Sequence, residues 1–335
     1  MAESNPQTQS TIIVGISGPS SSGKTTLARL LQQIFFGTTL TEPEEQSQSS
    51  KLNTFIIHED DFYYPDDQIP YTMTKSGKIQ DWDTIDAINT SFLSQALSYV
   101  HENGHLPPRL RSKEDQNEST DSGVDEDTIS QMRKYVQETL SASATNANPK
   151  SKPRPKTIAF MEGFLLYTGK ECHTSPLKPV QDAIHLPLFL PASYTNVKSR
   201  REARSGYVTI GPQPTEEEAK AKAKGQTQEK AQGAEGEEVD LEKEDESAPQ
   251  HFWVDPPGYV DDIVWPRYVE DHAWLLVADE SEDGEEGDLI RRVGEGTEVR
   301  EDAGVRVAPG KGAAGMDVIL GWAVKEIVNF YVAFE

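Results

Sequence analysis

Residues 11–16 (Thr-Ile-Ile-Val-Gly-Ile) form a nearly unbroken apolar run that ends in a Gly- and Ser-rich turn, which predicts a short strand buried on both faces. From Lys24 the period changes: Leu27, Leu30, Leu31 and Ile34 recur at helical spacing. Strand, glycine-rich turn and helix in that order open an α/β domain. Further apolar runs at 53–58, 157–161 and 183–190 predict three more strands, and Pro187 is expected to push the last toward an edge or a bulge. Residues 84–101 predict a helix with Ile85, Ile88, Phe92, Leu93 and Leu97 on one side. Residues 193–204 predict a basic helix and 316–335 an apolar-rich C-terminal helix. Late strands are expected at Trp274–Val277 and Val305–Ala308. Residues 1–10 read as disordered. The stretches 38–50, 109–156, 211–250 and 279–302 read as low-complexity insertions in one domain spanning 11–335, with a helical island at Gln131–Leu140.

Charge sharpens this division. The chain carries 32 basic and 56 acidic residues, net −24. Residues 113–127, 215–250 and 277–302 carry −6, −7 and −8, so these 77 residues hold −21 of the total. The other 258 are close to neutral and suit a compact body. The single cysteine, Cys172, excludes a disulfide scaffold or a cysteine-rich zinc site. No 18-residue apolar run is present to span a membrane, and the polar N-terminus is no secretory signal. The acidic balance argues against general nucleic-acid binding. A reducing cytoplasmic setting is expected, with the nucleus also open.

The strongest chemical signal is Gly18-Pro19-Ser20-Ser21-Ser22-Gly23-Lys24-Thr25, which fits G-x-x-x-x-G-K-[ST] between a predicted strand and helix. Such a loop turns successive N–H groups toward one anion, and the helix behind it adds its positive end. Gly18, Ser20, Ser21, Ser22, Gly23, Lys24, Thr25 and Thr26 are therefore expected to hold ATP, with Lys24 on the β/γ-phosphates and the Thr25 hydroxyl on Mg²⁺. The loop alone leaves a small-molecule kinase, a GTPase switch and a mechanical ATPase open.

Carboxylates follow the strands. Glu59-Asp60-Asp61 comes after the second, where an acid can take a proton from a substrate hydroxyl or help hold Mg²⁺. Glu162 directly follows the third, the place of a carboxylate in the Mg²⁺ shell. In Gln80-Asp81-Trp82-Asp83 the ring suits a base and the acid suits ribose hydroxyls, although Trp82 equally suits a core and Asp83 a helix cap. Lys198, Arg200, Arg201 and Arg204 form a basic stretch fit to clamp phosphates, and Tyr207 follows as a possible second stacking ring.

Taken together, these pieces resemble the nicotinamide riboside kinases, within the broader uridine-kinase-like group of P-loop kinases. The stretches that carry the resemblance are GISGPSSSGKTTLA at 15–28, DDFYYP at 60–65, QDWD at 80–83, MEGFLLY at 161–167, KSRREAR at 198–204 and DPPGYVDDIVWPRY at 255–268. The last discriminates best from uridine kinases. The acidic insertions fall outside the resemblance and suggest a eukaryotic, fungal source.

The resemblance implies a P-loop fold with a parallel sheet, flanking helices and a lid. It also implies ATP- and Mg²⁺-dependent phosphorylation of a ribose 5′-hydroxyl. On it, Asp61 is the general base and a Mg²⁺ neighbour, with Lys24 and Glu162 completing the catalytic set and Thr25 and Glu162 near the metal. Phe62, Tyr63 and Tyr64 border the substrate, Trp82 and Tyr207 sandwich its ring, and Asp83 and Arg201 hold its ribose. Arg200 and Arg204 form a lid over ATP, and the loop around Lys311 touches adenine. Two features depart from the pattern: position 82 is Trp rather than Tyr, and the lid between Arg and Tyr is one residue longer. The expected partner is a small nucleoside, with neither nucleic acid nor membrane, and the acidic insertions are free for unknown partners. Two rivals remain at this point, a uridine/cytidine kinase and a catalytically weak nucleotide-binding module.

Overall fold

The structure is a computed structural model that describes residues 11–40, 50–75, 77–110, 112, 121–145, 154–210, 241, 250–276 and 286–334. The expected disorder of residues 1–10 and the 211–240 part of the lid insertion lie outside the described residues.

The fold is α/β, a five-stranded parallel sheet flanked by helices and consistent with a P-loop kinase. Its strands are β1 (Thr11–Ser17), β4 (Asn53–His58), β7 (Thr157–Gly163), β8 (Leu186–Phe189) and β11 (Arg306–Val307), in the order β11-β8-β1-β7-β4. Alternation along β1 explains why its run is apolar throughout. Ile12, Val14 and Ile16 enter the core shared with α1 (Lys24–Phe35) and α8 (Met316–Ala333), whereas Ile13 enters the core on the opposite face. The central strands end level: Ser17 pairs in register with Gly163, and Glu162 with His58. The turns after β1, β4 and β7 therefore open into one crevice at the carboxyl edge.

Small antiparallel ribbons decorate the sheet. β2 (Thr39–Leu40) pairs with β3 (Ser50–Lys51), β5 (Tyr71–Thr74) with β6 (Gly77–Gln80), and β9 (Tyr207–Ile210) with β10 (Gln250–Trp253). The remaining helices are α2 (Thr90–Asn103), α3 (Glu126–Thr145), α4 (Lys178–Ala183), α5 (Tyr194–Glu202), α6 (Trp265–Leu276) and α7 (Glu286–Val293). Among the described residues no helix is long and apolar enough to cross a membrane.

Four expectations need correction. Trp274 lies in α6, not in a strand: Trp265, Tyr268, Val269, His272, Leu275 and Leu276 are buried at helical spacing, and the short run at 274–277 hid that longer period. Val277 is outside the described residues. Pro187 does not mark an edge, because β8 lies between β1 and β11. The proline is tolerated since the two-residue β11 pairs only from Leu188 onward. The helix expected from residue 84 begins at Thr90, where the Asn89 side chain accepts from the Phe92 N–H at 2.9 Å. A separate 3₁₀ turn covers Ile85–Ala87.

The fourth correction concerns 109–156, which is not low-complexity throughout. α3 buries Ile129, Val136 and Leu140 in the core of α1 and α8. Its Gln137 accepts from the Thr39 N–H at 2.9 Å and donates to the Thr39 carbonyl at 3.0 Å, closing the exposed edge of β2. Leu140→Ala is expected to cost about 2–5 kcal/mol. The check is a lowered midpoint of urea unfolding with catalytic constants little changed.

Candidate active site

The loop between β1 and α1 has the strained geometry that its glycines require. Gly18 has φ +152°, and a Cβ there would meet the Leu190 carbonyl oxygen at 2.3 Å. Gly23 caps α1 at φ +96°. Lys24 is buried and its Nζ donates to the Pro19 carbonyl at 2.9 Å, so the ammonium is folded across its own loop. Burial pushes the Lys24 pKa down, while the charges of Glu162 and Asp60 oppose that fall. Arg200 Nη1 donates to the Ser21 carbonyl at 3.2 Å and ties the basic helix α5 to the loop.

Glu162, at the end of β7, accepts from Thr25 Oγ1 at 3.1 Å and bonds His58 Nδ1 at 2.7 Å. Burial raises its pKa, but the bonds and charge of His58, with Lys24 and Thr25, outweigh that and hold the carboxyl below its usual range. After β4 the chain enters a 3₁₀ turn, Glu59–Phe62, and its successive side chains diverge. Glu59 is wholly buried, accepts from the Leu165 N–H at 3.1 Å, and is pushed by burial to a pKa of about 8. Asp60 reaches the crevice. Burial, then the Glu162 charge, raises its pKa, with Lys24, His58 and Arg204 pulling the other way.

Asp61 is expected as the general base and Phe62 beside the substrate. Both are buried and neither lines the cavity, and Phe62 packs on Phe92 with ring centroids 4.9 Å apart. Asp60 is the member of the acidic pair that stands beside the P-loop.

Arg201 joins two segments far apart in sequence. Its guanidinium bonds both carboxylate oxygens of Asp83 at 2.8 and 3.0 Å and Asp255 at 2.7 Å, and lies over the rings of Tyr207 and Tyr259. Asp83 is therefore no helix cap. Burial lifts its pKa, and Arg201 draws it back part of the way. Trp82 is held at both ends of its peptide: its N–H donates to Tyr259 Oη and its carbonyl accepts from Tyr63 Oη, each at 2.9 Å. The β9–β10 ribbon roofs this region, pinned by the Thr209 hydroxyl donating to buried Asp66 at 2.9 Å.

These groups share one cavity of about 1110 Å³, counting its open mouth. Ser20, Ser21, Gly23, Lys24, Thr25 and Thr26 of the loop line it, as do Tyr63, Tyr64, Trp82, Asp83, Arg201 and Tyr207. Asp60, Glu162 and Arg204 lie on its walls as well. Gly18, Ser22 and Arg200 support the loop without lining the cavity, and Lys311 pairs with Glu298 at 2.6 Å away from it. No family model matches the chain.

Among characterised proteins, the nicotinamide riboside kinase of Schizosaccharomyces pombe is 28% identical over 323 residues, 96% of this chain and 98% of that protein. The chain is homologous to fungal nicotinamide riboside kinases. Those of Saccharomyces cerevisiae and Eremothecium gossypii are 25% and 23% identical over 266 and 269 residues, about four-fifths of each chain.

The sequence reading leaves Asp60 within the acidic run without a role of its own and does not single out Thr209, Trp253, Asp255 and Tyr259, which border the cavity or hold residues that do. Asp255 and Tyr259 sit inside the DPPGY segment that carries the resemblance, so their motif was visible while their contacts were not. Trp253 and Thr209 had no local signal.

Proposed function

We propose that this protein is an ATP- and Mg²⁺-dependent kinase that phosphorylates the 5′-hydroxyl of nicotinamide riboside, and of nicotinic acid riboside as a second substrate. One observation carries the reading: a single cavity is lined both by Lys24 and Thr25 of the phosphate loop and by Trp82, Asp83 and Arg201. The phosphate loop suits a nucleoside triphosphate. The other residues offer a carboxylate and a guanidinium for vicinal hydroxyls and aromatic faces for a flat ring.

In this mechanism Asp60 accepts the proton of the 5′-hydroxyl as that oxygen attacks the γ-phosphorus and the bond to the ADP oxygen breaks. Its raised pKa makes it a better base than an ordinary aspartate once it is ionised. Lys24 and Arg204 place positive charge on the same wall, where charge spreads over the transferring phosphoryl group. Asp83 and Arg201 fix the ribose, and the β9–β10 ribbon keeps water out.

Among the described residues no three His, Cys, Asp or Glu side chains are arranged to hold a metal alone. The donor set present, Thr25 Oγ1 beside the ionised Glu162 with Asp60 on the same wall, fits Mg²⁺, which prefers one or two protein groups and completes its shell with phosphates and water. Bound there with ATP, Mg²⁺ neutralises phosphate charge.

The test is ADP release from MgATP with nicotinamide riboside, nicotinic acid riboside, uridine and cytidine in parallel. Turnover is expected with the two pyridine ribosides and little with the pyrimidines. Preference for uridine or cytidine would refute the substrate, and no turnover with any of them would return the weak-module reading.

A further inference from the structure

Trp253 belongs to no motif named above. It ends β10, beyond the long lid insertion, and pairs in register with Tyr207 across the ribbon. Its neighbours Phe252 and Val254 are 53% and 57% exposed, as alternation demands when residue 253 turns inward. Trp253 lines the cavity. Its ring lies 5.7 Å from that of Trp82 at 49°, and 6.0 Å from that of Tyr259 at 65°. Its Nε1 donates to Asp255 Oδ1 at 3.0 Å, and Asp255 also holds Arg201. The indole is therefore fixed in place by the ion-pair cluster at the ribose end of the cavity.

Two indoles meeting at 49° make a corner rather than a slot. With Tyr63 edge-on to Trp82 at 5.4 Å and Tyr207 on the same cavity wall, aromatic groups approach the space from several sides. Asp60, Asp83 and Glu162 add carboxylates to its lining and Lys24, Arg201 and Arg204 match them in number, so the rings rather than net charge decide what the space prefers. Aromatic faces turned toward a site favour a delocalised cation over a neutral ring of the same shape. Tyr207 is partly engaged already, with the guanidiniums of Arg201 and Arg204 5.2 and 5.1 Å from its ring centre. Trp253 faces Trp82 without such a cation over it in the contacts described.

We infer that Trp253 is a specificity-determining residue, an additional aromatic wall that selects a positively charged heteroaromatic riboside over an uncharged one. The inference rests on the substrate reading above and extends it to a residue that follows the insertion.

The experiment is steady-state kinetics on the full chain for wild type, Trp253→Ala and Trp253→Phe. Three ribosides serve as probes: nicotinamide riboside, its reduced and uncharged dihydropyridine form, and uridine. Trp253→Ala is expected to raise KM for nicotinamide riboside roughly tenfold with kcat within about threefold, while KM for the two neutral ribosides moves by about twofold or less. Trp253→Phe is expected to recover most of the loss. MgATP affinity and the thermal midpoint, measured beside it, keep a folding defect separate. Equal losses for charged and uncharged rings would reduce Trp253 to a packing residue and overturn the inference, as would no loss at all. The wild type decides the substrate reading independently: if it turns over uridine and refuses nicotinamide riboside, that reading fails along with charge selection. If it takes the pyridinium but the variant ratio is unchanged, only the role of Trp253 falls.

Discussion

Asp60→Asn is expected to lower kcat by about 10²–10⁴-fold while MgATP still binds, and Asp61→Asn to change turnover far less. Asp60 shares the cavity with Lys24, Glu162 and Arg204, whereas Asp61 is buried and lines none of it. A base must lie within reach of the proton that it takes, so geometry separates two residues that composition cannot. The amide keeps the shape of Asp60 and removes its capacity to accept a proton. Single-turnover rates with saturating MgATP, together with equilibrium binding of a non-hydrolysable ATP analogue, read the two effects apart. A fall in turnover confined to Asp61→Asn would restore Asp61 as the base and refute the assignment made here.

The choice between Asp60 and Asp61 shows where the sequence runs out. The phosphate loop is legible because all its information is local: the glycines, Lys24 and Thr25 lie within eight consecutive positions between a strand and a helix. The acidic pair also lies in an obvious place, after β4. It enters a 3₁₀ turn, though, whose successive residues point about a third of a turn apart, and no pattern in three acids in a row tells which one faces the ligand. Contacts that span insertions are harder still. Arg201 meets Asp83 across 118 positions and Asp255 across 54, and Trp253 reaches Tyr207 only because β9 and β10 pair around the lid insertion. α3 was partly legible, since Gln131–Leu140 falls within it, but its length rests on packing against α1 and α8, which periodicity in a polar segment does not reveal.

Arg201→Met carries the second large effect, and it falls on stability and substrate affinity together. Arg201 is 7% exposed and its guanidinium is shared between Asp83 and Asp255. Methionine fills much of the volume but leaves two carboxylates without their cation, a loss on the order of 3–5 kcal/mol for a broken buried pair. The pH dependence has a definite sign. Burial already holds the Asp83 pKa above its ordinary value, and Arg201 opposes that rise. Without Arg201 the folded-state pKa climbs further above the unfolded one. The variant then binds an extra proton on folding, so its deficit is smallest below the ordinary carboxylate range and grows as pH rises through the elevated folded pKa. Urea unfolding at several pH values measures this, and a deficit that shrinks toward neutral pH would contradict it. The double variant Arg201→Met/Asp83→Asn removes one of the stranded charges and is expected to regain part of the stability. It cannot regain the ribose contacts, so its KM for the nucleoside should stay high while its unfolding midpoint recovers. Recovery of both would mean that the pair serves the fold alone and that the ribose is held elsewhere.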